Sequence, residues 1–299
     1  MSETTEGLRR KMSAAAELQS VVRTMKAVAA SSIGQYESSV RALADYSRAV
    51  ELGLSACFRR VRTPASSEAE QGSRPPGPVG AVVFGSDQGL VGQFNDLIAD
   101  AAIDALRPLD GAPRLWAVGE RVHARLTDAG FSQVGLLPVP SSVNAITALV
   151  GRILVESEAL QDGGGVGVLD LFYNQRSVGA VYSPLGRRLL PLDQSWRREL
   201  ESRPWPTGNL PETLGDPETA LRALIREYLF VSLFRACAES LASENAARLA
   251  AMQRAEKNIG ELLEGLHGSF HRLRQSGIDE ELFDVISGFE ALGKPARGR

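Results

Sequence analysis

Four groups of residues in this chain have types and spacings that could carry chemistry. The run Gly85-Ser86-Asp87-Gln88-Gly89-Leu90-Val91-Gly92 stands between an apolar segment and a helical one. A phosphate can sit at such a turn on the N–H groups of a helix start. The run lacks the Gly-Lys-Ser/Thr ending of a P-loop and the G-x-G-x-x-G spacing of a dinucleotide site, and Asp87 would repel an anion. Glycines that set a tight turn are the simpler reading, with a nucleotide-binding α/β enzyme using Gly85–Gly92 as the alternative. His267 and His271 are spaced to share a helix face, but Gly-Ser-Phe separates them and no third metal ligand is near in sequence; His123 stands alone. Cys57 and Cys237 form no CxxC and read as buried thiols. The Arg9-Arg10-Lys11 cluster suits either an acidic partner surface or a solvated helix face. No nucleophile–histidine–carboxylate pattern is recognisable from spacing, and these patterns single out no catalytic, cofactor-binding or metal-binding residue.

The elements that hold these residues are legible from the prolines. Fourteen of fifteen lie between Pro64 and Pro217, so both ends can form long helices. At the N-terminal end Leu8, Met12, Ala15, Gln19, Val22, Lys26, Ala29, Ile33, Tyr36, Val40, Leu43, Ser47, Val50 and Leu54 alternate steps of four and three, the signature of a coiled-coil seam. Gln19, Lys26 and Ser47 interrupt it, and polar seam residues fix register or face a partner. At the other end Ala238, Ala242, Asn245, Leu249, Met252, Glu256, Ile259, Leu263, Leu266, Phe270 and Leu273 form the matching row. Asp216 is placed to cap this helix and Pro217 to open it. Gly260, Gly265, Gly268 and Gly277 suggest close approach of another backbone.

At 1.5 Å per residue, helices over 8–57 and 218–292 span about 75 and about 110 Å. Paired antiparallel, the second overhangs the first by roughly 20 residues. The overhang carries Leu282, Val285, Ile286, Phe289 and Leu292, an apolar stripe with no partner in the chain and therefore one expected outside it.

Between the helices, residues 79–205 alternate strand and helix: PVGAVVFG, a helix at 93–106, LWAVG, a helix over 119–129, a strand near 134–139, a helix at 143–158, then GVGVLDLFYN and VGAVYSPLGRRLLPL as two more strands. That order predicts a mostly parallel sheet covered by helices. The fold class expected is α/β, a long antiparallel two-helix coiled coil from both termini with a central Rossmann-like domain. The divisions are 1–60 and 211–299 as coiled-coil helices, 61–78 as linker and 79–210 as the globular domain.

Composition limits the partners. Net charge is −3, which gives no general basis for binding nucleic acid. No apolar run reaches the ~18–20 residues of a membrane span, and the opening MSETTEGLRRKMSAAAELQS lacks the apolar core of a secretory signal, so a cytosolic chain is expected.

Four stretches, in order along the chain, resemble the γ subunit of F-type ATP synthases. LRRKMSAAAELQSVVRTMKAVAAS (Leu8–Ser31) is similar to its basic start and Met-Lys-x-Val-Ala-Ala-Ser core; VVFGSDQGLVGQFN (Val82–Asn95) to its Ser-Asp-x-Gly-Leu-x-Gly-x-x-Asn turn. LASENAARLAAMQRAEKNIGELL (Leu241–Leu263) resembles Ser-Glu-x-x-Ala-Arg-x-x-Ala-Met-x-x-Ala-x-x-Asn, and LRQSGIDEELFDVISGFEAL (Leu273–Leu292) the terminal signature. The resemblance implies a non-catalytic rotor shaft without cofactors, present as one copy and not as a homo-oligomer. It would lie inside a hexamer of three α and three β subunits, with its α/β domain on a membrane c-ring beside an ε subunit. The location implied is the cytoplasmic side of the bacterial inner membrane, held peripherally. By the same resemblance Met25, Lys26, Arg274, Gln275 and Asp279 meet the catalytic subunits. Leu282, Val285, Ile286, Phe289 and Leu292 turn in an upper bearing, and Thr213, Leu214 and Asp87 face the c-ring or ε. Departures at Ser32–Glu37, Asp279, Phe289 and Pro211–Leu214 resemble the divergent, sodium-linked second class of bacterial F-type enzyme, the N-ATPases.

Overall fold

A computed structural model describes residues 4–60, 79–109, 112–159, 167–177, 180–209, 212 and 215–292, with side chains to residue 287. The stretch read as a linker, 61–78, lies outside the described residues. In chain order the elements are α1 (Thr5–Arg60), β1 (Val79–Phe84), α2 (Phe94–Leu106), β2 (Arg114–Val118), α3 (Glu120–Asp128), β3 (Val134–Leu137), α4 (Val143–Ala159), β4 (Val168–Ser177), β5 (Ala180–Leu190), α5 (Gln194–Ser202) and α6 (Pro217–Leu292).

Both long helices begin on capping side chains. Thr4 Oγ accepts from Gly7 N–H at 3.1 Å, and an Asp216 carboxylate oxygen accepts from Thr219 N–H at 3.0 Å, each satisfying an orphan donor of the first turn. Pro217 opens α6 as its fixed φ allows. Contacts divide the chain into two compact units: residues 1–28 with 251–299, and residues 29–250.

The larger unit is built on a five-stranded sheet of order β3-β2-β1-β4-β5. β1, β2, β3 and β4 are parallel, and β5 pairs antiparallel with β4. Alternation along β1 separates two cores. Val82 and Phe84 join Trp116, Ile146, Ile153, Leu171 and the inward sides of α1 and α6 (Tyr36, Leu54, Leu233, Cys237, Leu241). Val79, Ala81 and Val83 join Ile98 and Ala102 of α2 and Val122 and Leu126 of α3. All of β1 is buried, as its uninterrupted apolar run requires. One element escapes the sequence pattern: α5 carries little apolar surface, and is held by Leu200 in the core, by Asp193 accepting from Ser195 N–H at 2.7 Å, and by Trp196 lying 4.7 Å from the Tyr228 ring.

In the smaller unit α1 and α6 pack together antiparallel. Ala15, Val22, Met252 and Ile259 are buried, with Met25, Ala255 and Leu263 against them. Every expected α1 seam position, from Leu8 to Leu54, is buried or half-buried, and so is every α6 position from Ala238 to Leu273. The glycine expectation is corrected. A Cβ added at Gly260, Gly265, Gly268 or Gly277 would meet nothing within 4 Å, so among the described residues no neighbouring backbone approaches them. Among the described residues, no helix is long and apolar enough to cross a membrane.

Candidate functional site

Two surfaces of the smaller unit and one turn of the larger hold the residues singled out by sequence. At the middle of the two-helix seam, the α1 side presents Met25, half-buried in the apolar cluster, and Lys26. Lys26 Nζ donates to Glu256 Oε2 at 2.5 Å, and Arg23 Nε donates to Glu256 Oε1 at 2.9 Å. Hydrogen bonds from these two cations, Lys26 first, hold the Glu256 carboxyl below its ordinary value. Further along, the Arg9 guanidinium stands 5.2 Å over the Phe270 ring.

Beyond Leu273 the packing of α6 changes. Gly277 is half-buried, and residues 278–287 are exposed on every side. Arg274, Gln275 and Asp279 are all exposed there. Leu282, Val285 and Ile286 are 58%, 59% and 46% exposed, so the stripe expected from the sequence is open to solvent. Ile278 and Phe283, not singled out by the sequence pattern, are 54% and 68% exposed. At 100° per residue Ile278 prolongs the stripe by one turn and Phe283 widens it. Phe289 and Leu292 belong to α6 by backbone, but their side chains lie outside the described residues, as do Thr213 and Leu214 altogether. His267 and His271 are exposed, the latter's ring edge-on to Phe270. Among the described residues, no cluster of three or more His, Cys, Asp or Glu could hold a metal ion.

The Gly85–Gly92 turn is closed by its own side chains. Ser86 N–H donates to Asn95 Oδ1 at 2.9 Å, and Asn95 Nδ2 donates to Ser86 Oγ at 2.9 Å. Asp87 accepts from Glu120 N–H at 3.0 Å, the first residue of α3, and from Val139 N–H at 3.1 Å. Its carboxylate thus occupies the place at the start of α3 that a ligand anion would take. Two glycines beside it leave no room for a side chain. A Cβ on Gly85 would fall 2.5 Å from Val122 Cβ, and one on Gly119, at φ +113°, would fall 2.8 Å from the Ser86 backbone. Leu90 adopts φ +63° and is 61% exposed at the tip.

Glu244 and Arg248 of α6, noticed in the sequence only through a resemblance, form a charged pair in the larger unit's interior. Arg248 Nη2 donates to Glu244 Oε1 at 2.6 Å, and Glu244 is 6% exposed. Burial raises the Glu244 carboxyl despite that partner. The two cysteines are buried as expected, and burial raises both thiols.

These features define a class: paired terminal helices with a mixed five-stranded α/β sheet, whose candidate sites are surfaces and ion pairs. Comparison with known proteins gives the family. A family model described as ATP synthase matches residues 4–292. The ATP synthase gamma chain of Granulibacter bethesdensis is 27% identical over 296 residues, covering 96% of this chain and 99% of the relative. A chain in the cryo-EM structure of the Euglena gracilis mitochondrial ATP synthase rotor, rotational state 1, is similar with a TM-score of 0.62 at 16% identity, covering 92% of this chain and 98% of that one. A chain in the Tetrahymena thermophila mitochondrial ATP synthase central stalk and c-ring gives 0.55 at 19% identity, covering 79% and 99%. The chain belongs to the ATP synthase γ chain family.

Proposed function

We propose that this chain is the central rotor stalk of an F-type ATP synthase, non-catalytic itself, coupling ion flow through a membrane c-ring to the conformational cycle of catalytic β subunits. The observation that carries the reading is the run 278–287 of α6, exposed on every side and bearing the stripe Ile278, Leu282, Val285 and Ile286. An apolar helix end that finds no partner among the described residues belongs in a partner's socket. In this reading residues 1–60 and 211–299 form the shaft and 79–210 the globular foot. Met25, Lys26, Arg274, Gln275 and Asp279 face the α and β subunits, and Leu282, Val285, Ile286, Phe289 and Leu292 form the bearing. Thr213, Leu214 and Asp87 face the c-ring or ε; for Asp87 the contact would use the turn around it, because its carboxylate is engaged internally. One asymmetric chain within a ring of three catalytic sites biases each site differently, since a shift of population needs a difference in contact energy between states.

The location proposed is peripheral, at the cytoplasmic side of the bacterial inner membrane. We also assign the chain to the N-ATPase class, on Ser32–Glu37 where the family's basic patch stands, on Asp279 and Phe289, and on Pro211–Leu214. The mass and stoichiometry of the native complex test the proposal. One copy with three α, three β and an ε subunit is expected, with coupled synthesis lost on deletion of residues 276–299. A stable homodimer free of those subunits would overturn it.

A further inference from the structure

The Glu256 carboxylate is the centre of a three-group clasp across the two-helix seam. Arg23 and Lys26, one turn apart on α1, each take one of its oxygens, at 2.9 and 2.5 Å. Its seam neighbours are Met252 and Ile259, both buried, and those of Lys26 include buried Val22. The block Ser-Glu-x-x-Ala-Arg-x-x-Ala-Met-x-x-Ala-x-x-Asn leaves position 256 open, so the resemblance assigns Glu256 no role.

An apolar seam sets the distance between two helices, but burial is non-directional, so a shifted register still keeps Ala, Val, Met and Ile out of water. A charged pair is specific to its partner. If α6 slid by one seam step, Glu256 would face Val22 and Lys26 would face Met252, so Lys26 would lose its carboxylate and lie against an apolar neighbour. Polar seam residues commonly fix register in this way, at some expense in stability.

We propose that Glu256 is a positioning residue. It locks the register of α1 against α6 and holds Lys26 and Arg23 in one orientation, so that rotation of the stalk reaches the catalytic subunits without slippage at this level. The role in coupling rests on the rotor reading above; the register lock does not.

The test uses the wild-type complex, Glu256→Gln, which removes the charge at nearly constant shape, and Glu256→Asp, which keeps it. Ion transport per ATP hydrolysed and maximal hydrolysis are measured together, with amide exchange over residues 15–26 and 252–263 followed in the full chain. Exposed ion pairs are worth up to about fivefold in an equilibrium. The Gln variant should therefore exchange about two- to fivefold faster and transport about two- to fivefold fewer ions per ATP, with hydrolysis retained. Asp should recover most of both, and wild type in 1 M salt should approach the Gln variant as screening weakens the pair. Faster exchange with unchanged coupling would overturn the role in transmission, and unchanged exchange would overturn the lock itself. If wild type joins no complex with α and β subunits, the rotor reading fails on that result and the coupling role with it, while the exchange comparison still decides the lock.

Discussion

Two glutamates on α6, each bound to a cation, show how different the two units are. Glu244 lies in the interior of the larger unit, with Arg248 on the next turn of its own helix. Glu256 lies on the two-helix seam of the smaller unit, with two cations from the opposite helix. Burial raises the first carboxyl, and pairing with Lys26 and then Arg23 lowers the second. The same chemical group is thus limited by desolvation in one place and favoured by Coulomb attraction in the other. In the larger unit, Arg248 on the same helix offsets part of the cost of burying Glu244. In the smaller unit, the apolar cluster is a single seam, and charge helps specify which residues meet.

The contrast is broken most strongly at Arg248. Replacing it with Ala leaves Glu244 buried without a counter-ion, and about 3 kcal/mol of stability should be lost in urea denaturation of the full chain. Removal of Arg23, whose side chain is 61% exposed, should change stability little by the same measurement. Equal losses at the two sites would erase the distinction. The next effect belongs to the seam. Ile259→Ala removes one of the four buried members of its cluster. A loss of about 2 kcal/mol is expected, the low end of the range for Ile→Ala, because a seam open on both flanks can close over the gap.

Gain of stability should come from the glycines. Gly265 and Gly268 have helical backbone, and an added Cβ at either meets nothing within 4 Å. Each change to Ala should raise stability by about 0.4–1 kcal/mol, by restricting the unfolded chain and restoring helix propensity. If the isolated chain gains and an assembled complex loses activity, the space at these glycines is being used by a partner.

These residues also show which parts of the architecture could be read from sequence. The seam positions were legible because a repeat of four and three has a single solution over many turns, and Gln19, Lys26 and Ser47 fall on it despite being polar. That β1 to β4 run parallel follows from their alternation with helices, though their order does not, and Asp216-Pro217 marks the start of α6 in the residues themselves. Pairing across space was not legible. Glu256 and Lys26 both stand on expected seam rows, but which residue of one row meets which of the other depends on how far one helix is shifted along the other. Asp87 was read as a charge that would repel a phosphate, whereas its use as an acceptor for Glu120 and Val139 N–H depends on where β3 and α3 return to the sheet. The surroundings of the glycines are illegible for the same reason: sequence shows a missing side chain and not what, if anything, fills its place.

Acidification separates the two glutamates by sign. Glu256 has its carboxyl lowered from an ordinary 4.5, so its pairing contributes fully above that value and is lost as pH falls through the lower folded-state value. Glu244 has its carboxyl raised, so its ionised form is disfavoured in the fold at neutral pH and that penalty is relieved as pH falls. Between pH 7 and 4, amide exchange near Glu244 should therefore slow relative to a Glu244→Gln control. Exchange near Glu256 should hold steady until below about 4.5 and then quicken relative to Glu256→Gln. A common direction at both sites would mean that the cation, and not burial, governs Glu244.

The smallest effect on stability should accompany the largest effect on function. Leu282 and Phe283 are 58% and 68% exposed, so changing both to Ser removes little buried surface and should move the unfolding midpoint of the isolated chain within the scatter of surface substitutions, about 0.5 kcal/mol. In the proposed complex these side chains enter a socket, where each large apolar residue brought out of water is worth about 1.5–3 kcal/mol. The double variant should then assemble less tightly or turn with fewer ions moved per ATP, measured on the same preparation whose chain stability is unchanged. If coupling is intact as well, the exposed end of α6 is not a bearing surface, and the stalk must be held by the seam-level contacts around Met25 and Lys26 instead.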